Sequence, residues 1–483
     1  MTHLQPPSSN QILLTAAKMR AAEGRLFASG IPTQDLMARA GEEVAKFVHH
    51  RYHGSSILVL CGPGNNGGDG FIAAKHLRKG GHAVTVCLLA EENKLKGDAA
   101  WARAEWGGAV VPFAPALFEN HEIIIDAIFG IGLNKPITGG LATVIAMLHL
   151  QTKPVIAIDV PSGIDADSGE ILGMAVKATS TVTFAGPKLG HYLYPGRAHS
   201  GELVVADIGL GPLLAQEEPV HFLNSLDLWA HLIPQQDWQT NKYSRGKLLV
   251  AGGKMIGAAI LSVQAARKIG AGYVSLVTPK RLAKTVSIVH PGIVTHGANF
   301  SLKWGRYLRD PRIRAVLLGP GLGRKKSWVL RALARGLPTV LDADALTIFI
   351  DRSWQLFNAI QAPTVLTPHA GEFARLFPEV SGGKVEQAVM AARISGAVVV
   401  FKGADTVIAN PDGRAIININ ASPSLATAGT GDILAGMIAG LMAQGMPAFE
   451  AAAAAVWMHA EAATYVGRGL IAEDLLSQLP VVA

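Results

Sequence analysis

The sequence predicts an α/β protein of two domains, each a mostly parallel sheet covered by helices. Three observations predict it. Short, nearly continuous apolar runs such as "ILVL", "PVIAIDV" and "AVVVFKG" alternate with Ala/Leu-rich stretches of helical length, the pattern of strands buried on both faces. The alternation closes near Leu210 and restarts near Lys247. Glycine-rich turns follow many apolar runs, at the edge where a parallel sheet binds ligands. A chain of 483 residues suits two or three domains at roughly 100–200 residues each.

In the first half the strands read "ILVL", "AVTVCLL", "EIIIDAIF", "PVIAIDV", "STVTFAG" and "ELVVADIGL". The stretch 211–221, "GPLLAQEEPVH", breaks the rhythm and reads as a linker. The second half runs through "KLLVAGG", "AGYVSLVTP", "AVLLGPG", "PTVLDAD", "PTVLTPH", "AVVVFKG" and "TVIAN". A long helical tail follows from about Asp432. The domains are therefore expected at 1–213 and 222–483. Their strand–glycine–helix units do not align as an internal repeat.

Composition narrows the function classes. Hydrophobic residues make up 49% and charged residues 16%, so large cores are expected and long disordered tracts are not. The net charge of +7 comes from 43 basic and 36 acidic residues, with no long basic run. This favours solubility and attraction for small anions over nucleic-acid binding. Cys61 and Cys87 offer neither metal spacing nor a disulfide framework. The N-terminal stretch lacks a basic start followed by an apolar core, so no signal peptide is expected. "ILAGMIAGLMAQGM" is too short and too broken to span a bilayer. The expectation is a cytoplasmic, homo-oligomeric enzyme with small-molecule partners, no nucleic acid and no membrane.

In the first half, "CGPGNNGGDGFIAAKHL" places a glycine loop between a strand and a helix. Gly62 to Gly67 match G-x-G-x-x-G, one reading of which is a dinucleotide turn of a dehydrogenase with Glu91 on the ribose. Asp69 argues against it. A carboxylate in the first helical turn repels phosphate, although it suits the helix dipole as a cap. Two further loops, carrying Asp126 with Gly130 and Gly132, and Asp159 with Ser162 and Asp165, end strands on the same edge. Asn66, Asp126 and Ser162 could converge as oxygen ligands of a monovalent cation. Asp159 is then the acid/base candidate, and Asp165 a turn former.

In the second half, "LATAGTGDILAGMIAGLMAQG" opens a long helix with a G-T-G-D turn. Its N–H groups form an anion hole for a transferring phosphoryl group. Asp432 is expected at the start of a helix beginning near Ile433, ionised by the dipole and ready to take a hydroxyl proton. There is no P-loop motif. Lys402 and Gly403 stand where a nucleotide phosphate could lie. Gly319 to Gly323 form another glycine turn. Asp342 and Asp344 read as turn and cap residues, and His369, beside Glu372, reads equally as a cap or a site residue.

"NNGGDG", "DAIFGIGL" and "DVPSGIDADSG" resemble the motifs of the NAD(P)H-hydrate epimerase family over about 1–210. That resemblance implies a Rossmann-like three-layer αβα domain that interconverts the R and S epimers of NADHX and NADPHX, the hydrated forms of NADH and NADPH. It implies hydrate contacts at Asn65, Asn66, Gly67, Gly68 and Asp69, at Gly130, Ile131, Gly132, Leu133, Asn134, Lys135 and Pro136, and at Asp159. It implies potassium at Asn66, Asp126 and Ser162. "TPHAGEFARL", "VVVFKGADTVI" and "AGTGDILAGMIAGLMAQG" resemble the ADP/ATP-dependent NAD(P)H-hydrate dehydratase branch of the ribokinase-like superfamily over about 240–483. This implies nucleotide contacts at Lys402, Gly403, Ala404, Asp405, Thr406 and Gly431. It also implies Mg2+ with ADP (or ATP), and hydrate contacts at Ala258, Gly321 or Gly323, His369 and Asp432. The loop "GGKMIGAA" before Ala258 is about two residues shorter than is usual in that branch. The order of the two resemblances matches a fused repair enzyme with Asp159 and Asp432 as catalytic residues. The alternative is a ribokinase-type small-molecule kinase fused to a Rossmann-like nucleotide-binding domain.

Overall fold

A computed structural model describes residues 11–479 except 217 and 219. The chain folds into two compact units divided between Pro219 and Val220. Both have the α/β architecture that the sequence predicts. Among the described residues no helix is long and apolar enough to cross a membrane. Cys61 and Cys87 are free and buried.

The first unit contains β1 (Ile57–Cys61), β2 (Val84–Leu88), β3 (Val110–Val111), β4 (Ile123–Ala127), β5 (Val155–Ile158), β6 (Ser180–Phe184) and β7 (Glu202–Ala206). They pair in the order β3-β2-β1-β4-β5-β6-β7, all parallel. Every residue of β1 is buried. Ile57, Val59 and Cys61 pack into one core layer, Leu58 and Leu60 into another. Strand alternation thus feeds helices on both faces. Part of the stretch read as a linker is structured. Gly211–Leu214 is helical, with Pro212 in its first turn, where the missing N–H costs nothing.

The second unit contains β8 (His221–Leu223), β9 (Lys247–Ala251), β10 (Tyr273–Thr278), β11 (Val294–Gly297), β12 (Ile313–Leu318) and β13 (Thr339–Leu341). They are followed by β14 (Thr364–Leu366), β15 (Val398–Phe401), β16 (Val407–Ala409) and β17 (Ala415–Ile417). The order is β11-β10-β9-β12-β13-β14-β15-β16-β17-β8, with only the β15-β16-β17 pairings antiparallel.

In each sheet the chain first builds outward one way, then returns to extend the other side. The reversal falls between β1 and β4, and again between β9 and β12. Loops leaving such adjacent strands diverge to opposite faces and leave a crevice at the carboxyl ends.

The helical tail begins at Thr430 rather than near Ile433. The helix Thr430–Ala443 is almost wholly buried and packs on the helix Ile256–Lys268. The approach is close. A Cβ on Gly436 would stand 2.2 Å from the Ser262 carbonyl oxygen. Gly436→Ala should therefore destabilise the second unit by about 1–3 kcal/mol through overpacking. Urea denaturation measures this, and a loss under about 0.5 kcal/mol, the range of a neutral surface change, would contradict it.

Candidate active sites

The first crevice opens beside the β1 and β4 loops. A Cβ on Gly62 would lie 2.0 Å from the Ile128 carbonyl oxygen, so only glycine lets the two loops meet there. Beyond them lies a cavity of about 590 Å3. Asn65, Asn66, Asp69, Gly130, Ile131, Gly132, Leu133 and Asp159 line it, together with Met19, Arg20 and Glu23 of the helix Ala16–Ala28. Gly67 and Gly68 do not line it. Side chains there would strike the Gly62 carbonyl and Met37. Asn134, Lys135 and Pro136 lie exposed, outside the lining.

Asp159 is the most constrained group in this cavity. Its φ is +65°, a left-handed value that costs a non-glycine residue about 1–3 kcal/mol and marks functional positions. Its Oδ1 accepts from Lys188 Nζ at 2.6 Å and Thr183 Oγ1 at 3.0 Å. Lys188 is fully buried and donates further to Thr183 Oγ1 and the Phe184 carbonyl. Burial opposes ionisation of Asp159, but the Lys188 ammonium outweighs it and holds the carboxyl below the usual range. His191 completes the frame. Its Nδ1 accepts from the Lys188 N–H at 3.1 Å, so its Nε2 carries the proton and donates to the Asp159 carbonyl at 2.9 Å. Burial and the Lys188 charge push His191 down to about 4, so it stays neutral.

Asp69 does not cap its helix. Gly64 is the N-cap of Asn65–Lys79, which places Asp69 as the fifth helical residue, facing the cavity. Burial, then Asp159 and Glu23, push its carboxyl well above the usual range.

Asp126 is fully buried and meets only neutral donors. Ser162 Oγ donates to Oδ1 at 2.6 Å, Ser162 N–H to Oδ2 at 2.8 Å, and Ile128 N–H to Oδ1 at 3.2 Å. Burial raises it to about 6 despite these bonds. Asn66 stands nearby. Its Oδ1 and Asp159 Oδ2 lie 2.9 and 3.3 Å from where a Gly130 Cβ would be. The Asn66 Nδ2 is buried and has no partner.

In the second unit Asp342 and Asp344, after β13, and Lys402, after β15, surround the Gly429–Asp432 turn. Gly429, at φ +93°, is the N-cap, and Asp432 is the third helical residue. The turn is fixed from behind. Thr430 Oγ1 bonds to the Leu425 and Thr427 carbonyls, and the buried His459 bonds through Nε2 to the Thr430 carbonyl at 2.9 Å. Burial lowers His459 to about 4, so it is a neutral support. Ser262 Oγ, which also lies 3.1 Å from the Ala258 carbonyl, donates to the Asp432 carbonyl at 2.8 Å.

The expected ionisation of Asp432 needs correction. Its carboxyl is pushed up to about 6, by burial and then by Asp342, with Lys402 opposing and Asp344 adding to the rise. The helix N-terminus does not outweigh two facing carboxylates. Asp342 is also more than a turn residue. It is buried and accepts from Lys402 Nζ at 2.9 Å and Thr367 Oγ1 at 2.7 Å. Burial opposes the Lys402 charge, yet Asp342 holds Lys402 above its ordinary value.

His369 is a cap. Its Nδ1 accepts from the Gly371 and Glu372 N–H groups, while Glu372 accepts from the His369 N–H. Gly323 N–H donates to Asp344, and Gly321 lies tight against the Met255 carbonyl. Gly403 and Ala404 are exposed. The Thr406 hydroxyl closes their turn onto Gly403. Asp405 is ion-paired with Lys384. Lys188, Thr183, His191, Glu23, Lys384 and His459 escape sequence reading; a lysine set among apolar residues after a strand, in "GPKLGH", is the one signal for any of them.

These two crevices define a fused α/β enzyme, one site built on an ion-paired aspartate and the other on a helix start that carries Asp432 in its first turn. Residues 33–190 match the family model described as YjeF-related protein N-terminus, and residues 248–477 match the model described as NAD(P)H-hydrate dehydratase. The bifunctional NAD(P)H-hydrate repair enzyme Nnr of Salinibacter ruber is 35% identical over 98% of this chain and 96% of that protein. Its namesake from Coxiella burnetii is 36% identical over 98% and 99%. A crystal structure of an ADP/ATP-dependent NAD(P)H-hydrate dehydratase from Bacillus subtilis, co-crystallised with ATP and Mg2+, is 30% identical. It covers 52% of this chain and 95% of that one, with a TM-score of 0.46. The chain belongs to the bifunctional NAD(P)H-hydrate repair enzyme family, an epimerase and a dehydratase in one polypeptide.

Removing one partner of a buried ion pair strands the other charge. Lys188→Met should destabilise the first unit by about 3–5 kcal/mol, while the Lys188→Met/Asp159→Asn double variant should lose clearly less. Chemical denaturation of the single and double variants measures both. A double-variant loss equal to the sum of the Lys188→Met and Asp159→Asn losses would mean that the pair is not coupled.

Proposed function

We propose that the first unit interconverts the R and S epimers of hydrated NADH and NADPH, and that the second dehydrates the S epimer at the expense of ADP (or ATP). The products are NAD(P)H, AMP (or ADP) and phosphate. The observation that carries the first half is Asp159, kept ionised by Lys188 at the wall of a cavity large enough for a hydrated nicotinamide ring. A carboxylate fixed in this way can take and return the proton of the ring hydroxyl. Asn65, Asn66 and the backbone of 130–133 supply hydrogen-bonding groups around it.

In the second unit the Gly429–Gly431 N–H groups face a transferring phosphoryl group. Asp432 takes the hydroxyl proton as the ring oxygen attacks the terminal phosphorus. Phosphate then leaves with the C–O electrons, and loss of a neighbouring C–H proton restores the ring double bond. Lys402, held charged by Asp342, stands beside Gly431 to balance phosphate charge. Mg2+ arrives with the nucleotide.

A monovalent cation fits beside the first cavity. Asp126 is a buried carboxylate without a cationic partner, and Ser162 Oγ and the Phe129 carbonyl are 3.1 Å apart next to it. This set offers only oxygen ligands, and among the described residues no group of three or more His, Cys, Asp or Glu could hold a metal ion. Asn66, Asp126 and Ser162 would hold potassium, which would supply positive charge to a buried carboxylate.

Four predictions test this reading. Asp159→Ala should abolish epimerisation and leave S-epimer dehydration intact. Asp432→Asn should slow dehydration by about 10²–10⁴ and spare nucleotide affinity. Because Asp432 lies at about 6, its base form dominates only above that pH, so wild-type dehydration should fall as pH drops through about 6. Chromatography of each epimer with and without ADP, across pH, decides it. Loss of both activities in folded Asp159→Ala would refute two sites. Replacing potassium by a large organic cation should lower epimerase turnover, and an unchanged rate would refute the cation site.

A further inference from the structure

Four carboxyl groups, those of Glu23, Asp69, Asp98 and Asp159, line the first cavity, and the chemistry above uses one. Asp159 is anchored by Lys188 and Thr183. Asp69, from the helix Asn65–Lys79, and Glu23, from the helix Ala16–Ala28, reach the same cavity from two other elements. Neither side chain has a hydrogen-bond or ion-pair partner among the described residues. Two carboxyls that are pushed upward and face one cavity beside Asp159 mark a functional-site candidate. The other charged groups lining this cavity are Arg20 and Asp98, with Lys188 behind Asp159. Arg20 is engaged with the Ile131 carbonyl at 3.0 Å, and Lys188 with Asp159.

We propose that Asp69 is the general acid of the epimerase site, acting on the ring nitrogen while Asp159 acts on the ring hydroxyl. The inference rests on the epimerase reading above. Hydration of a dihydropyridine puts the hydroxyl on the carbon next to the ring nitrogen, forming a hemiaminal. Inverting that carbon requires one of its bonds to break and re-form. Asp159 takes the hydroxyl proton, and the freed oxygen pair forms a carbonyl. The C–N bond breaks, its electron pair moves to nitrogen, and Asp69 delivers its proton there. Rotation turns the aldehyde over. The nitrogen then attacks the opposite carbonyl face and returns its proton to Asp69, while Asp159 returns the other to oxygen. No water or co-reactant is consumed, and both carboxyls end as they began.

This route needs a protonated and an ionised carboxyl in one cavity at one pH. Lys188 supplies the ionised one by holding Asp159 below the usual carboxylate range. Burial, with Asp159 and Glu23, pushes Asp69 the opposite way. Glu23, itself raised by burial and by Asp159, is a positioning residue that acts through Asp69.

The test uses full-length Asp69→Asn, Asp69→Glu and Glu23→Gln, with far-UV circular dichroism and chemical denaturation of the first unit as the check on folding. Asp69→Asn should lower epimerase kcat by about 10²–10⁴, with KM within about threefold of wild type. Asp69→Glu should recover part of the rate. Glu23→Gln should move the alkaline limb of kcat to lower pH, because one carboxylate fewer opposes ionisation of Asp69. The 18O label of the ring hydroxyl should survive epimerisation beyond the buffer control. An Asp69→Asn rate within about threefold of wild type, a loss confined to KM, or label washout with turnover would overturn the inference. Wild-type protein without epimerase activity would instead overturn the reading on which it rests.

Discussion

Both sites follow from one constraint of parallel sheets. A strand can extend the sheet on only one side at a time, so the chain must at some point return and build on the other side. The loops leaving the two strands at that reversal turn to opposite faces and cannot close over each other. Here the reversals lie between β1 and β4 and between β9 and β12. In the first unit the gap is narrowed by Gly62 against Ile128, and in the second by Gly253 and Gly321 against neighbouring carbonyls. Each crevice is therefore a backbone feature first, and side chains tune it.

The tuning is electrostatic, and the two units do it in opposite ways. Asp159 is buried but paired with an ammonium that has no other anionic partner, so its charge survives burial. Asp432 shares its crevice with Asp342 and Asp344, while Lys402 is drawn toward Asp342. Burial and then Asp342 push its carboxyl up to about 6, where a base can also release the proton it has taken. Two neutral histidines, His191 and His459, perform the same task in the two units, each fixing a backbone carbonyl at the catalytic turn.

Most of the fold is legible in the sequence because strands buried on both faces read as unbroken apolar runs. The strands that escape are β3, β8, β11 and β17. Three of these are sheet edges, and all are two to four residues long, too short for a hydrophobic pattern. The loops of both sites are legible as Gly, Asn and Asp clusters. What supports them is not. Lys188 follows Asp159 by 29 residues, and its burial is a property of the packed structure alone. Asp432 shows why charge state is harder still. The helix start is visible in the sequence, but the burial of Asp432, and then the carboxylates of Asp342 and Asp344 from another strand end, push it up and are properties of the packed structure.

The central claim is that each unit holds a complete and independent catalytic site. Complementation in trans tests it most directly. Asp159→Ala and Asp432→Asn full-length proteins are each incubated with R-epimer and ADP, separately and mixed, while NADH absorbance is followed. The account predicts that neither protein alone forms NADH above the uncatalysed background, whereas the mixture does, because the S epimer made by one is consumed by the other. A mixture no faster than its components would contradict it.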